Sequence, residues 1–138
     1  MSLVLRLRAL LLLTLALAGC GASESGPWLD FAGGGFVVDY SMGAAYYGLV
    51  VKPLRHLPQG AVIEARFQDP AGGPDLVVAQ SIDKQQLRYP FKSPSISGLR
   101  KGHAYKVEIR LLASQGGEVL GSYSRDFKSD VDQAAVAQ

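Results

Sequence analysis

Val62-Ile63-Glu64-Ala65-Arg66-Phe67-Gln68-Asp69 alternates without a break: Ile63, Ala65 and Phe67 fall on one side of an extended chain, and Glu64, Arg66 and Gln68 on the other. Successive side chains of a strand point to opposite faces, so this stretch is a strand with one face buried and one wet. A second run, Gly102-His103-Ala104-Tyr105-Lys106-Val107-Glu108-Ile109-Arg110-Leu111, repeats the pattern with Tyr105, Val107, Ile109 and Leu111 inward. Gln115-Gly116-Gly117-Glu118 then reads as the hairpin loop to a final strand, Val119 to Phe127.

Between these two anchors the turn Asp69-Pro70-Ala71-Gly72-Gly73-Pro74 is written in residues that fix or free φ. It leads to strands at Leu76 to Ile82 and at Leu87-Arg88-Tyr89-Pro90-Phe91, where Leu87, Tyr89 and Phe91 share a face. Pro90 cannot donate to a ladder, which places that segment at an edge or a bulge, and Ile96 caps the core. Toward the N-terminus, Phe36 to Tyr40 and Tyr46 to Lys52 are β-rich, separated at Gly43 and followed by a proline-bearing connection, Pro53 to Gly60. No helical pattern lies between Phe36 and Phe127. The expected class is all-β: an antiparallel β-sandwich or small β-barrel of about seven to eight short strands over residues 36–128.

The chain opens differently. Arg6 and Arg8 precede an uncharged apolar run, Ala9 to Ala18, in the n-region and h-region order of a secretory signal, too short to span a membrane as a helix. It ends in Leu17-Ala18-Gly19-Cys20, which resembles the bacterial lipobox. That resemblance implies cleavage between Gly19 and Cys20, a diacylglycerol on the Cys20 thiol and an acyl chain on its new amine. Residues 1–19 are then a signal peptide and residues 20–35 a lipidated tether, small and polar over Gly21 to Pro27, with Gly33-Gly34-Gly35 as a flexible turn. Gly21, in place of an aspartate, favours the outer membrane, with the domain facing the periplasm. Ser129 to Gln138 is a flexible tail.

With Arg6 and Arg8 removed, twelve basic side chains balance twelve acidic ones. Such a balance argues against nucleic acid as a partner. Cys20 is the sole cysteine, so no internal disulfide can form and the packed core alone must carry stability. His56 and His103 stand in no metal-ligand spacing, and the chain has no Gly-x-Ser-x-Gly elbow and no phosphate loop. Glu64 and Glu108 fall on outward faces. His103 beside Tyr105 fits a turn histidine at the head of a strand. The expectation is a protein with no enzyme activity, no cofactor beyond the lipid and no small-molecule substrate. Trp28 closes one end of the core or offers a ligand platform. Tyr46 and Tyr47 pack strands or flank an apolar face that could take a peptide, by strand addition or as a helix in a groove.

Gly48-Leu49-Val50-Val51, Leu57-Pro58-Gln59-Gly60-Ala61-Val62-Ile63-Glu64-Ala65-Arg66-Phe67-Gln68-Asp69, Tyr89-Pro90-Phe91 and the run from Gly102 to Arg110 together resemble the YscW family. The resemblance covers most of the chain after the tether and rests on turn and core residues. It implies a β domain and a pilotin: an outer-membrane lipoprotein that binds a type III secretion secretin and promotes its targeting and ring assembly. The same family includes YbaY-like envelope lipoproteins, which would bind a glycan or another envelope protein. No partner-binding residue carries over from the family.

Overall fold

The computed structural model describes residues 26–136. Strands β1 (Leu29–Asp39), β2 (Ala44–Pro53) and β5 (Tyr89–Lys92) form one sheet, in the order β1-β2-β5. Strands β3 (Val62–Phe67), β4 (Leu76–Ser81), β6 (Ala104–Leu112) and β7 (Val119–Lys128) form the other, in the order β4-β3-β6-β7. All strand pairings are antiparallel. Of the two expected architectures, the chain adopts the sandwich.

The alternation in the sequence sets the core. Ile63, Ala65 and Phe67 of β3 and Tyr105, Val107, Ile109 and Leu111 of β6 are buried, facing Tyr47, Leu49 and Val51 of β2 and Tyr89 and Phe91 of β5. Burial of each large apolar side chain contributes about 1.5–3 kcal/mol. Tyr47 lies at the centre, its ring 4.8 Å from that of Phe67. Its hydroxyl donates to the Gln68 carbonyl at 2.6 Å, and burial holds its pKa well above the ordinary tyrosine range. Gly43, Gly60, Gly102 and Gly116 take positive φ at turns between strands, where a side chain would be strained.

Four expectations need correcting. The domain begins before Phe36: β1 starts at Leu29, and both Leu29 and Phe31 belong to the core. Gly33-Gly34-Gly35 is therefore the middle of a strand and not a flexible turn, with Gly33, Gly34 and Gly35 paired to Val50, Leu49 and Gly48. A bulge between Phe31 and Gly33 resets the alternation so that Gly34 faces inward. The phenyl ring of Phe127 occupies the space its side chain would take: a Cβ on Gly34 would come within 2.5 and 2.7 Å of two ring atoms.

The tail is tied down as well. Gln133, in the short helix α1 (Gln133–Val136), is buried. Its amide donates to the carbonyls of Ile96 at 2.9 Å and Gly43 at 3.1 Å and accepts from the Leu99 N–H at 3.3 Å. These are polar satisfactions that no apolar periodicity announces. Leu87, finally, is 86% exposed and lies outside β5, leaving Tyr89 and Phe91 as the inward pair. Pro90 does sit on an edge strand.

Candidate functional site

The two outer faces of the sandwich differ in kind. On the three-stranded sheet, cross-strand register brings outward residues into rows: Val37 with Tyr46, Gly35 with Gly48 and Lys92, and Gly33 with Val50 and Pro90. The middle of this face has almost no side chains. A Cβ added at Gly33 or Gly35 would meet nothing within 4 Å, and one at Gly48 would only touch Val37 at 3.7 Å. The result is an open trough of about 470 Å³ with exposed backbone on its floor. Val37, Tyr46, Val50 and Pro90 wall it, and Val37 is 44% exposed. Lys92 is the one charged residue among those lining it. Its ammonium sits 4.2 Å from the centre of the Tyr46 ring, a cation–π contact at the rim. Beyond Val37 the β1–β2 turn exposes Tyr40 and Met42, extending the apolar surface. That turn is held by Asp39, whose carboxylate accepts from the Ser41 hydroxyl and backbone N–H and is thereby held below its ordinary pKa.

Tyr46 and Tyr47, adjacent in sequence, thus serve opposite surfaces, as neighbours on a strand must. Tyr47 belongs to the core and Tyr46 to the trough. Trp28 packs partly buried at one end of the core, with the Arg55 guanidinium 3.7 Å from its ring.

The other outer face is a ladder of charge. Glu64 stands opposite Arg110 and Arg66 opposite Glu108. Arg66 Nε donates to Glu64 Oε1 at 2.6 Å, and Arg110 Nη1 lies 3.6 Å from the same oxygen. Arg110 Nε is 3.4 Å from Glu108 Oε1 but misaligned for a hydrogen bond. Lys106 approaches Glu108 at 3.9 Å. The expectation of outward carboxylates holds for both residues, although each is partly covered by its cationic neighbours. The small cleft here, about 160 Å³, is lined by Arg66, Gln68, Asp75, Lys106 and Glu108.

The seams between the sheets are largely closed. Along β1 and β7, the Phe31 and Phe127 rings meet edge to face at 6.4 Å, and the Trp28 N–H donates to the Tyr123 hydroxyl at 2.9 Å. Along β4 and β5, the Gln80 amide donates to the Pro90 carbonyl. The first seam parts near one end into a groove of about 570 Å³, between Phe36, Val38 and Tyr40 on one wall and Lys128, Asp130 and Val131 on the other.

The remaining candidates scatter. His103 is exposed, its ring 4.9 Å from that of Tyr105. The Tyr105 hydroxyl accepts from the Arg100 N–H at 2.9 Å and lies 3.5 Å from the Gly98 carbonyl, which ties a loop to the core. His56 lies exposed in the loop after β2. Among the described residues no group of three or more His, Cys, Asp or Glu could hold a metal ion. No helix among them is long and apolar enough to cross a membrane. Gly19 and Cys20, the expected cleavage and lipid sites, lie outside the described residues, as do Arg6, Arg8 and Gly21. The glycines of the trough escape a sequence reading that treats a glycine run as a turn. The available signal was their spacing, Gly33 and Gly35 two apart on one strand.

No family model and no curated protein matches the chain. Among solved structures it is similar to an endonuclease/exonuclease/phosphatase from Beutenbergia cavernae DSM 12333. The two are 13% identical, with a TM-score of 0.35, over 73% of this chain and 36% of that one. The chain thus spans about a third of that protein's length. A likeness of this size does not support an enzyme activity for this chain.

Proposed function

We propose that this chain is a pilotin: a lipoprotein held on the outer membrane through Cys20, facing the periplasm, whose trough binds a segment of a type III secretion secretin. One observation carries the reading: a sandwich with an open, apolar outer face begins a few residues after a stretch that resembles a lipobox. Its first strand, which supplies Gly33, Gly35 and Val37 to that face, starts at Leu29. Eight residues lie between Cys20 and Leu29, and the nine steps along the chain limit the span between them to about 30 Å. A secretin segment bound there is confined beside the membrane at high effective concentration, which favours insertion and ring assembly without any covalent step. The YscW-like pattern points the same way, and the lipobox and length look like those of ExsB, the lipoprotein of a type III secretion system.

The test compares secretin multimers in cells carrying the intact chain, a deletion, and Cys20→Ser. Multimers in the outer membrane should fall sharply in the deletion and be mislocalised or reduced with Cys20→Ser. Equal amounts and location in all three would overturn the reading. The YbaY-like alternative, an envelope lipoprotein binding a glycan or another envelope protein, draws on Tyr46 as a stacking ring on the open face. It predicts unchanged secretin multimers in the deletion strain.

A further inference from the structure

We infer that the end of the sandwich at which β1 begins is a membrane-docking surface: Leu87 and Leu54 enter the headgroup region of an anionic phospholipid layer, and Lys84 and Arg88 meet its phosphates. The inference rests on the lipoprotein reading of Cys20, which puts that layer within reach.

Four segments meet at this end. The chain enters at Gly26 to Trp28, residues 54–61 follow β2, residues 82–88 join β4 to β5, and residues 113–118 turn β6 into β7. Hydrogen bonds tie the first three into one surface. The Leu54 N–H donates to the Trp28 carbonyl at 2.8 Å, and Arg55 Nη1 donates to the Gly26 carbonyl at 3.4 Å. The Gln85 amide accepts from the Leu57 N–H at 3.0 Å and donates to the Leu57 carbonyl at 2.9 Å. The Tyr89 hydroxyl accepts from the Gln86 N–H at 3.0 Å and donates to the Lys84 carbonyl at 3.1 Å. Leu87 thus stands on a loop that is held on both sides, and yet its side chain is 86% exposed. Leu54, in the connection tied to that loop, is 44% exposed. Apolar tips fixed in water gain from a partner that covers them.

Position and charge name the partner. The nine steps from Cys20 to Leu29 keep the acyl chains near this end. The other exposed apolar side chains, Tyr40 and Met42 of the β1–β2 turn, stand at the opposite end, the ten residues of β2 away, or about 30 Å. In the loops of the docking end Arg55, Lys84 and Arg88 outnumber Asp83 and Glu118. In those of the opposite end Asp69, Asp75, Asp130 and Asp132 outnumber Arg100 and Lys101. Lys84 and Arg88, on the same loop as Leu87, make no ion pair among the described residues. Apolar side chains flanked by cations bind the boundary of an anionic layer, and a basic patch adds a second signal to an acyl anchor. Seated this way, the strands run away from the layer and the trough stays open to the periplasm.

The test places one nitroxide on the lipidated chain, at Leu87→Cys or at Met42→Cys, in vesicles of phosphatidylethanolamine and phosphatidylglycerol. It compares the probe's collisions with dissolved oxygen and with a polar nickel complex. Cys20 is the sole native cysteine, so once it is acylated only the introduced thiol reacts. The Leu87 probe should favour oxygen and the Met42 probe nickel. Lys84→Glu together with Arg88→Glu, added salt, or omission of the anionic lipid should each lower the oxygen-to-nickel ratio at Leu87 about twofold or more. All four substituted positions are exposed, so the chains retain the fold, checked by circular dichroism. A Leu87 probe as wet as the Met42 probe, or one whose ratio survives the charge reversals, overturns the inference, while one nitroxide per chain leaves the lipoprotein reading in place. Two nitroxides per chain would show an unacylated Cys20 and overturn both.

Discussion

The four-stranded and three-stranded sheets close over one core, yet their outer surfaces are built on opposite rules. The outer face of the four-stranded sheet neutralises itself: Glu64, Arg66, Glu108 and Arg110 alternate in sign along and across the strands, so each charge has an opposite neighbour. The outer face of the three-stranded sheet places glycine at Gly33, Gly35 and Gly48, where side chains would otherwise cover the backbone. A self-satisfied surface has little to gain from a partner. A bare, apolar one, lined by a cation that has no ion pair among the described residues, has more to gain. That difference is the reason the proposed docking face is placed on the three-stranded sheet.

The sharpest way to break this comparison uses two neighbouring glycines. Gly34 faces the core and Gly35 the trough, and only the first is closed in by other atoms. Gly34→Val would drive its side chain into the Phe127 ring and toward the Gly48 carbonyl. Overpacking of this kind costs about 3 kcal/mol, read as a fall in the urea midpoint. Unchanged stability would mean that β1 is not registered as described, and the trough assignment would fail with it.

The charged face predicts a smaller loss. Glu64→Gln keeps the shape but removes the carboxylate shared by Arg66 and Arg110. The Arg110 guanidinium, whose Nε already has no hydrogen bond, is left beside one carboxylate instead of two. Both arginines remain partly exposed, so water recovers part of the loss and the cost should be about 1 kcal/mol. Urea unfolding at low and high salt checks it: the deficit should shrink with added salt, as screening weakens the pairs in the unsubstituted chain. A deficit that is absent at low salt would show that this face gains nothing from its pairing, and the contrast between the faces would rest on shape alone.

Much of this architecture is legible in the chain. The strict alternation of β3 and β6 gives the inward residues directly, and Pro90 marks an edge. What escapes has a common physical cause: it depends on contacts distant in sequence. Gly33 to Gly35 carry no side chain and hence no hydropathy signal, and only the Phe127 ring, packed from the far end of the chain, explains why Gly34 lies in a strand. Gln133 is polar and reads as tail, but its amide satisfies backbone groups near residues 43, 96 and 99. Likewise, Tyr46 and Lys92 form one rim through the pairing of β2 with β5, not through any local spacing.

The smallest expected effect on stability is also the most informative. Gly35→Val places a β-branched side chain on a half-buried strand position with nothing within 4 Å of its Cβ and no positive φ. Glycine in a strand carries an entropic cost of about 0.5–1 kcal/mol relative to alanine, and valine suits a pleated surface. The substitution should therefore leave the urea midpoint unchanged or raise stability by about 0.5 kcal/mol. Filling the trough in this way should nonetheless reduce secretin multimers in cells. Stability gained with assembly lost is what a face kept bare for docking predicts, because such sites hold residues that folding alone would replace. If Gly35→Val instead destabilised the domain by as much as Gly34→Val, the open floor of the trough would serve the fold and not a partner.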